Sequence, residues 1–243
     1  MPIGIICNVV AVALGGVIGA TQGNRIRAEL KEKLNMIFGL CSMAMGISSI
    51  VLMKNMPAVV FAVLLGTTLG IALRLGERIE AGAAGMYRLV ERLPGLGASA
   101  AADGAQTAAL ITVIVLFCGS GTGIYGSLVS GMSGDHSVLI AKSILDLFTA
   151  MIFACSLGAV VSLIALPQLA VFLTLYFLAR FIYPLTTPTM IDDFKACGGF
   201  IMVATGFRIL QLKPFPTADM LPAMVLVMPL SWLWSTRVIP LLG

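Results

Sequence analysis

SVLIAKSILDLFTAMIFACSLGAVVSLIAL, residues 137–166, runs for thirty residues with only two ionisable side chains, Lys142 and Asp146. An apolar run of about 18 residues or more with so little charge reads as a membrane-crossing helix. At about 1.5 Å of rise per residue it would be about 45 Å long, well over the hydrocarbon thickness. It is therefore expected to tilt, kink or project before Pro167 ends it. Lys142 and Asp146 stand four positions apart, on one helix face, and can pair. Asp146 lies roughly ten residues, or about 15 Å, inside the span, close to the bilayer middle. A charge there costs at least about 2.5–3.5 kcal/mol on insertion scales, so such residues face the bundle interior. Two readings compete for the pair: a functional polar site, and a structural ion pair that fixes helix packing.

The rest of the chain agrees with a membrane setting. Of its 243 residues 59% are hydrophobic and 11% charged, and the mean hydropathy is +1.03. An ordinary soluble domain is about 45–50% apolar and about 25% charged. That shortage of charge excludes a soluble enzyme, a disordered tail and a nucleic-acid binder. The fold class expected is all-α, a polytopic transmembrane helical bundle of about eight spans (seven to nine), forming one integral membrane domain over residues 1–243. The net charge of +4 is read as basic cytoplasmic loops, not as affinity for polyanions.

The first span covers residues 3–20, interrupted only by Asn8, and is read as retained and not as a cleaved signal peptide. Arg25, Arg27, Lys31 and Lys33 follow, interleaved with Glu29 and Glu32. Spans two and three cover residues 34–53 and 56–73, separated by Lys54-Asn55. Residues 74–106 form the longest polar connection. Its first part, with Arg74, Glu77, Arg78, Glu80, Arg88, Glu91 and Arg92, reads as a cytoplasmic surface helix lying on the membrane. Pro94 and the Gly/Ala-rich residues 95–104 read as a flexible link.

Span four begins near Thr107 and is apolar to Cys118, where glycines at 119, 121, 123 and 126 interrupt it. A helix broken at membrane depth survives only where it is buried in protein or lines a wet cavity. Residues 131–135 turn the chain into span five. Span six covers residues 169–185, with Arg180 inside it. Pro184 and Pro188 bracket a polar turn, and Asp192, Asp193 and Lys195 mark the start of span seven, residues 194–212, with Arg208 near its end. Span eight covers residues 221–238, after Pro214 and Pro216. Lys and Arg concentrate in the connections after spans one and three, which puts those connections in the cytoplasm and both termini outside.

Gly39-x4-Ala44-x-Gly46 in span two recurs as Gly199-x4-Ala204-x-Gly206 in span seven. The next span opens with Met56-Pro57-Ala58 in one case and Leu221-Pro222-Ala223 in the other. The parity of spans two and seven makes this an inverted repeat, a transporter architecture with its site at the repeat interface. Small-xxx-small packing without a repeat is the alternative. Extension to spans one and five, through Leu14-Gly15-Gly16 and Leu157-Gly158-Ala159, breaks the parity and is left out.

The glycine break of span four offers backbone at Gly121 and Gly123, the hydroxyls of Ser120 and Thr122, and a new half-helix N-terminus, which favours anionic groups. Close helix packing is the plainer account of those glycines. Asn8 reads as a buried polar group that hydrogen-bonds a neighbouring helix. Asp135 reads as the N-cap or turn residue of span five, with a ligand role as the alternative. His136 has no second His near it, and the five cysteines form no C-x-x-C pair, so they read as packing groups. No hydrolase, zincin, Walker or Rossmann motif is present, so no enzyme activity, cofactor or metal is expected. The candidate substrate- or ion-binding set is Lys142, Asp146, Ser120, Gly121, Thr122, Gly123, Asn8 and Asp135.

Phe117-Cys118-x-Ser120-Gly121-Thr122-Gly123-Ile124, Gly134-Asp135-x-Ser137 and Lys142-Ser143-x-x-Asp146 form a specific central block. With Asn8…Gly15-Gly16, Thr186-Thr187-Pro188 and Ala204-Thr205-Gly206, it resembles the YqgA/YdfK-like family of bacterial inner-membrane proteins, a domain of unknown function. The resemblance runs over essentially the whole chain. It implies a bacterial inner-membrane location and a seven- or eight-span bundle, and it brings no binding residues of its own.

Three functions fit these features. A secondary transporter of a small polar or anionic solute, with proton coupling, would use the deep pair and the broken span. A non-transporting scaffold or accessory subunit would use the polar surface helix. An ion channel would use the glycine-rich segment as a filter. The partners expected are the lipid bilayer, such a solute, and a second copy of the chain as a homodimer through small-residue faces such as Gly15-Gly16-x-x-Gly19 and Gly66-x-x-x-Gly70. Nucleic acid is not among them.

Overall fold

Lipid offers no partner to a free backbone amide or carbonyl, so an apolar chain of this composition satisfies its backbone within helices. The computed structural model, which describes residues 1–22, 28–91 and 104–242, has only helical regular structure over those residues. In chain order the helices are α1 (Ile3–Gln22), α2 (Ala28–Ile50), α3 (Met56–Ala72), α4 (Leu75–Glu91), α5 (Gly104–Cys118), α6 (Gly121–Ser133), α7 (Ser137–Leu157), α8 (Val160–Leu163), α9 (Ala165–Ile182), α10 (Pro188–Ile209), α11 (Leu221–Leu233) and α12 (Ile239–Leu242).

Among the described residues, six stretches are long and apolar enough to cross a membrane: Ile3–Gln22, Glu32–Ile50, Val113–Ser133, Ser137–Leu157, Val160–Leu185 and Leu221–Leu241. A seventh arises if α3 and the first part of α4, bent by 60°, count as one. α10 has 22 residues, enough for a crossing, but it carries Asp192, Asp193, Lys195 and Arg208. Large apolar side chains such as Leu64, Val225 and Phe181 are more than 60% exposed, as a lipid-facing surface requires.

The chain divides into two compact units, Met1–Asn35 with Glu77–Arg180 and Met36–Gly76 with Phe181–Gly243. In the first, α1 lies along α7 in the same direction, with Gly4 at Leu139, Gly15 at Leu147 and Gly19 at Met151. A Cβ at Gly15 or Gly19 would run into the carbonyl of Leu147 or Met151. Glycine there lets the two backbones touch, which is how dispersion holds helices together in lipid. Val12, Phe117, Ala150, Ala154 and Val161 belong to the buried core of this unit.

The break expected in span four is present. α5 stops at Cys118, and the Oγ of Ser120 accepts a hydrogen bond from the Gly123 amide at 3.2 Å as the N-cap of α6. α4 is the helix expected near residues 74–93, and one face of it meets protein: Ala83 is buried, and Ile79 sits against Gly119 at the break. The flexible link called over Pro94 and residues 95–104 lies, up to residue 103, outside the described residues.

Span five is shorter than expected. α7 ends at Leu157 because Gly158 adopts φ 78°, ψ −165°, a conformation nearly restricted to glycine. Hydropathy cannot register that stop, since apolar residues continue on both sides of it. Pro167 does not terminate a helix either. It lies in the first turn of α9, where its missing N–H leaves no hydrogen bond unmade.

In the second unit, α2 and α10 pack antiparallel. A Cβ at Gly46 would come within 2.7 Å of the Gly199 carbonyl, and one at Gly39 within 3.1 Å of the Gly206 carbonyl. The two copies of the glycine motif therefore face each other, and the Ser42 Oγ donates to the Met202 carbonyl between them at 2.9 Å. α3 packs on α11, with Gly66 at Ala223 and Gly70 at Asp219. α10 begins earlier than the sequence suggested. Pro188 opens it and Thr187 caps it, accepting from the Met190 amide at 3.3 Å, so Asp192, Asp193 and Lys195 lie inside the helix. Pro229 lies inside α11, and a π-helical turn, Trp234–Val238, follows the helix.

Candidate functional site

Lys142 and Asp146 project from one face of α7, as the i, i+4 spacing requires. The Lys142 Nζ donates to both carboxylate oxygens of Asp146 at 2.7 Å. The two residues are 5% and 6% exposed, so the pair is fully inside the protein. The Lys142 ammonium also stands 6.0 Å from the centre of the Phe117 ring, at the outer reach of a cation–π contact.

Two further helices join this pair. Asn8 of α1, with no exposed surface, donates from Nδ2 to the Asp146 Oδ2 at 2.8 Å. Gln168 of α9, equally buried, donates from Nε2 to the Asn8 Oδ1 at 2.8 Å and to the Phe117 carbonyl at 3.4 Å. The directions of these bonds follow from the carboxylate. Asp146 only accepts, so Asn8 must turn its NH₂ toward it and its oxygen toward Gln168. Gln168 in turn presents its NH₂ to Asn8, and its Oε1 is left buried with no hydrogen-bond partner among the described residues. The result is a polar line across α7, α1 and α9 that ends at the last turn of α5, one residue before the helix stops.

Of the predicted set, Lys142, Asp146 and Asn8 come together. Ser120, Gly121, Thr122 and Gly123 form the start of α6, close to Phe172 of α9, whose ring a Cβ at Gly123 would strike. Thr122 is 5% exposed. Among the described residues, neither Ser120 nor Thr122 hydrogen-bonds the Lys142–Asp146 pair. Asp135 is a turn residue: its Oδ1 accepts from the Ser137 amide at 3.0 Å and the Ser137 Oγ at 2.6 Å, in an exposed position. It belongs to the end of α7 that also carries His136, whose Nδ1 is 2.7 Å from the Ser130 Oγ.

Gln168 was missed from the sequence, although one signal pointed to it. It stands 160 positions after Asn8, the same spacing that separates the two glycine motifs and Ser42 from Met202. On that spacing the counterpart of α1 would be α9 and not α7, a choice with the opposite parity that span five lacked.

Asp193 was also missed as a buried group. It has no exposed surface, and its carboxylate accepts from the Lys54 amide (2.8 Å), the Asn55 amide (2.9 Å), the Asn55 Nδ2 (2.9 Å) and the Ser231 Oγ (2.6 Å). The Asn55 Nδ2 also reaches the Ser235 Oγ at 3.0 Å. Asp193 thus sits at the positive end of α3, where a carboxylate is stabilised by unpaired amides and the helix dipole. All its lone pairs are occupied by donors fixed in the fold, which makes it a fastener of α3 to α10 and α11.

A family model described as "Protein of unknown function (DUF554)" matches residues 3–232. The chain is 46% identical to the uncharacterized protein YqgA of Escherichia coli (strain K12) over 97% of its length and 98% of the relative's. It is 26% identical to the uncharacterized membrane protein YdfK of Bacillus subtilis (strain 168), over 92% of its length and 93% of the relative's. No solved structure matches.

Proposed function

The chain belongs to the DUF554 family, and for this member we propose secondary transport of a small polar or anionic solute, coupled to protons through Asp146. The observation that carries the reading is the polar line of Lys142, Asp146, Asn8 and Gln168, deep among apolar helices and ending beside the α5–α6 break. Ionisable groups at such depth are rare, and they mark solute or proton pathways in membrane proteins. A break in the neighbouring helix supplies backbone groups and an N-terminus that a passing anion can use. In this mechanism Asp146 takes up and releases the coupling proton. Lys142 is its counter-ion when Asp146 is charged and meets the solute's anionic group when Asp146 is neutral. Asn8 and Gln168 hold the carboxylate in place through that exchange. The 160-position spacing of Asn8 and Gln168 supports a site on an inverted repeat, as transporters of that architecture have. The setting we infer is the bacterial inner membrane, with both termini on its outer face, on the distribution of Lys and Arg.

The test is uptake into liposomes containing the purified protein, with anionic and neutral polar solutes screened under an imposed proton gradient. Uptake that the gradient drives and that Asp146→Asn abolishes supports the mechanism. Equal uptake by Asp146→Asn protein overturns it.

A second reading, a scaffold that moves nothing, draws on a different aspect of the same residues. Lys142 and Asp146 satisfy one another and are packed against Phe117, as a structural pair would be. Solvent access separates the two. A cysteine at position 142 or 146 that reacts with a water-soluble maleimide from one side of the membrane favours transport, and inertness from both sides favours the scaffold.

A further inference from the structure

α10 leaves its last turn through Leu210 and Gln211. The Gln211 amide donates to the Arg208 carbonyl and the Leu212 amide to the Phe207 carbonyl, both at 3.0 Å, with Gln211 at φ 56°. This is the Schellman ending, in which glycine usually fills the left-handed position. Here a long polar residue fills it, at the expense of backbone strain. Because the closing turn already engages those terminal carbonyls, they do not call for cationic side chains to satisfy them.

Two cations are nonetheless gathered there. Arg208, Gln211, Lys213 and Pro214 line an open cavity of about 250 Å³. The Arg208 Nη1 donates to the Oγ1 of buried Thr217 at 2.7 Å, which braces the guanidinium and leaves its other N–H groups free to bind an acceptor. The Lys213 ammonium makes no hydrogen bond or ion pair among the described residues. The acid in the same loop, Asp219, is engaged elsewhere: its Oδ1 accepts from the Gly76 amide at 2.8 Å, at the start of α4. On either side of Lys213, Leu212 is 60% and Phe215 41% exposed. A loop that alternates cations with exposed apolar side chains at the end of a spanning-length helix suits the level where headgroups meet acyl chains.

We propose that this cavity binds a phosphate group, and that the phosphate is that of an anionic phospholipid headgroup. Arg208 supplies a planar, braced fork for two phosphate oxygens, and Lys213 supplies a mobile point charge for a third. Leu212 and Phe215 lie against the upper acyl chains.

The experiment uses the full chain purified in detergent, delipidated, and presented with phosphatidylglycerol, phosphatidylcholine or inorganic phosphate, with bound copies counted by native mass spectrometry. Lys213→Gln removes an exposed, unpaired charge and leaves the fold intact. Arg208→Gln is read beside it, with helical content checked by circular dichroism. The expected result is retention of phosphatidylglycerol over phosphatidylcholine, reduced about fivefold by Lys213→Gln and further by both changes. Retention of inorganic phosphate that Lys213→Gln removes, with no preference for phosphatidylglycerol, overturns the lipid as source and supports the phosphate site. Equal phosphatidylglycerol retention by wild type and Lys213→Gln, with no bound inorganic phosphate, overturns the proposal.

Discussion

Asn8 and Gln168 are 160 positions apart in sequence and 2.8 Å apart in space, at the same sequence spacing as Ser42 and Met202, which also hydrogen-bond. That spacing recurs in two separate contacts and in the glycine motif, and it pairs α1 with α9 and α2 with α10. In an inverted repeat, equivalent side chains that meet each other would lie on the local symmetry axis, and Asp146 is hydrogen-bonded directly to Asn8 of this pair.

Removing one charge of the buried pair strands the other. Asp146→Asn should lower stability by about 3–5 kcal/mol, because Lys142 keeps its charge without a counter-ion. Lys142→Met together with Asp146→Asn should recover most of that loss, since replacing both partners leaves no buried charge. Thermal unfolding in detergent measures the stabilities. Transport should stay lost in the double variant, which separates the role in movement from the role in folding.

Asn8 and Gln168 should behave as one unit. Asn8→Leu and Gln168→Leu each leave a buried polar partner unmet, at about 1–3 kcal/mol. The double variant should lose less than the sum, with a coupling of about 0.5–3 kcal/mol in a double-mutant cycle. Additive losses would show that the two amides act independently.

Asp193→Ala should be among the most destabilising single changes, by about 3 kcal/mol or more, because the Lys54 and Asn55 amides and two side chains lose their acceptor together. Its effect should fall on unfolding and not on the solute affinity of the folded fraction. Unfolding midpoints and uptake KM, measured on one preparation, check both halves.

Gly158→Ala should destabilise by about 1–3 kcal/mol, since φ 78° with ψ −165° is closed to a residue with a Cβ. Gln211→Gly should act in the opposite direction, by up to about 1 kcal/mol, by relieving the left-handed strain at the end of α10. Unfolding of the two variants under one condition gives the comparison.

The membrane class and most helix positions were legible because they rest on composition and run length, which the sequence states directly. The Lys142–Asp146 pair was legible because two charges in a thirty-residue apolar run have little company, and the i, i+4 spacing settles that they touch. The end of span five was not, because a turn at Gly158 changes a backbone angle without changing hydropathy. Gln168 escaped because an uncharged amide does not stand out in an apolar span; its role depends on which helix lies beside Asn8. Asp193 escaped because it was taken for a helix boundary, and with Thr187 as cap the helix starts at Pro188, six residues before it was due. Ser120 was legible as part of a break, but its hydroxyl is spent on capping α6 instead of facing the pair.

The carboxylate of Asp193 grips the first amides of α3 from α10, with Ser231 of α11 on its other oxygen. Three helices joined at so short a range form a clamp, and a clamp transmits torque. If the protein cycles between two shapes, α3, α10 and α11 turn together. The same clamp holds the start of α3, while at its other end Arg74, at φ 50°, stands in the corner where the path turns by 60° into α4.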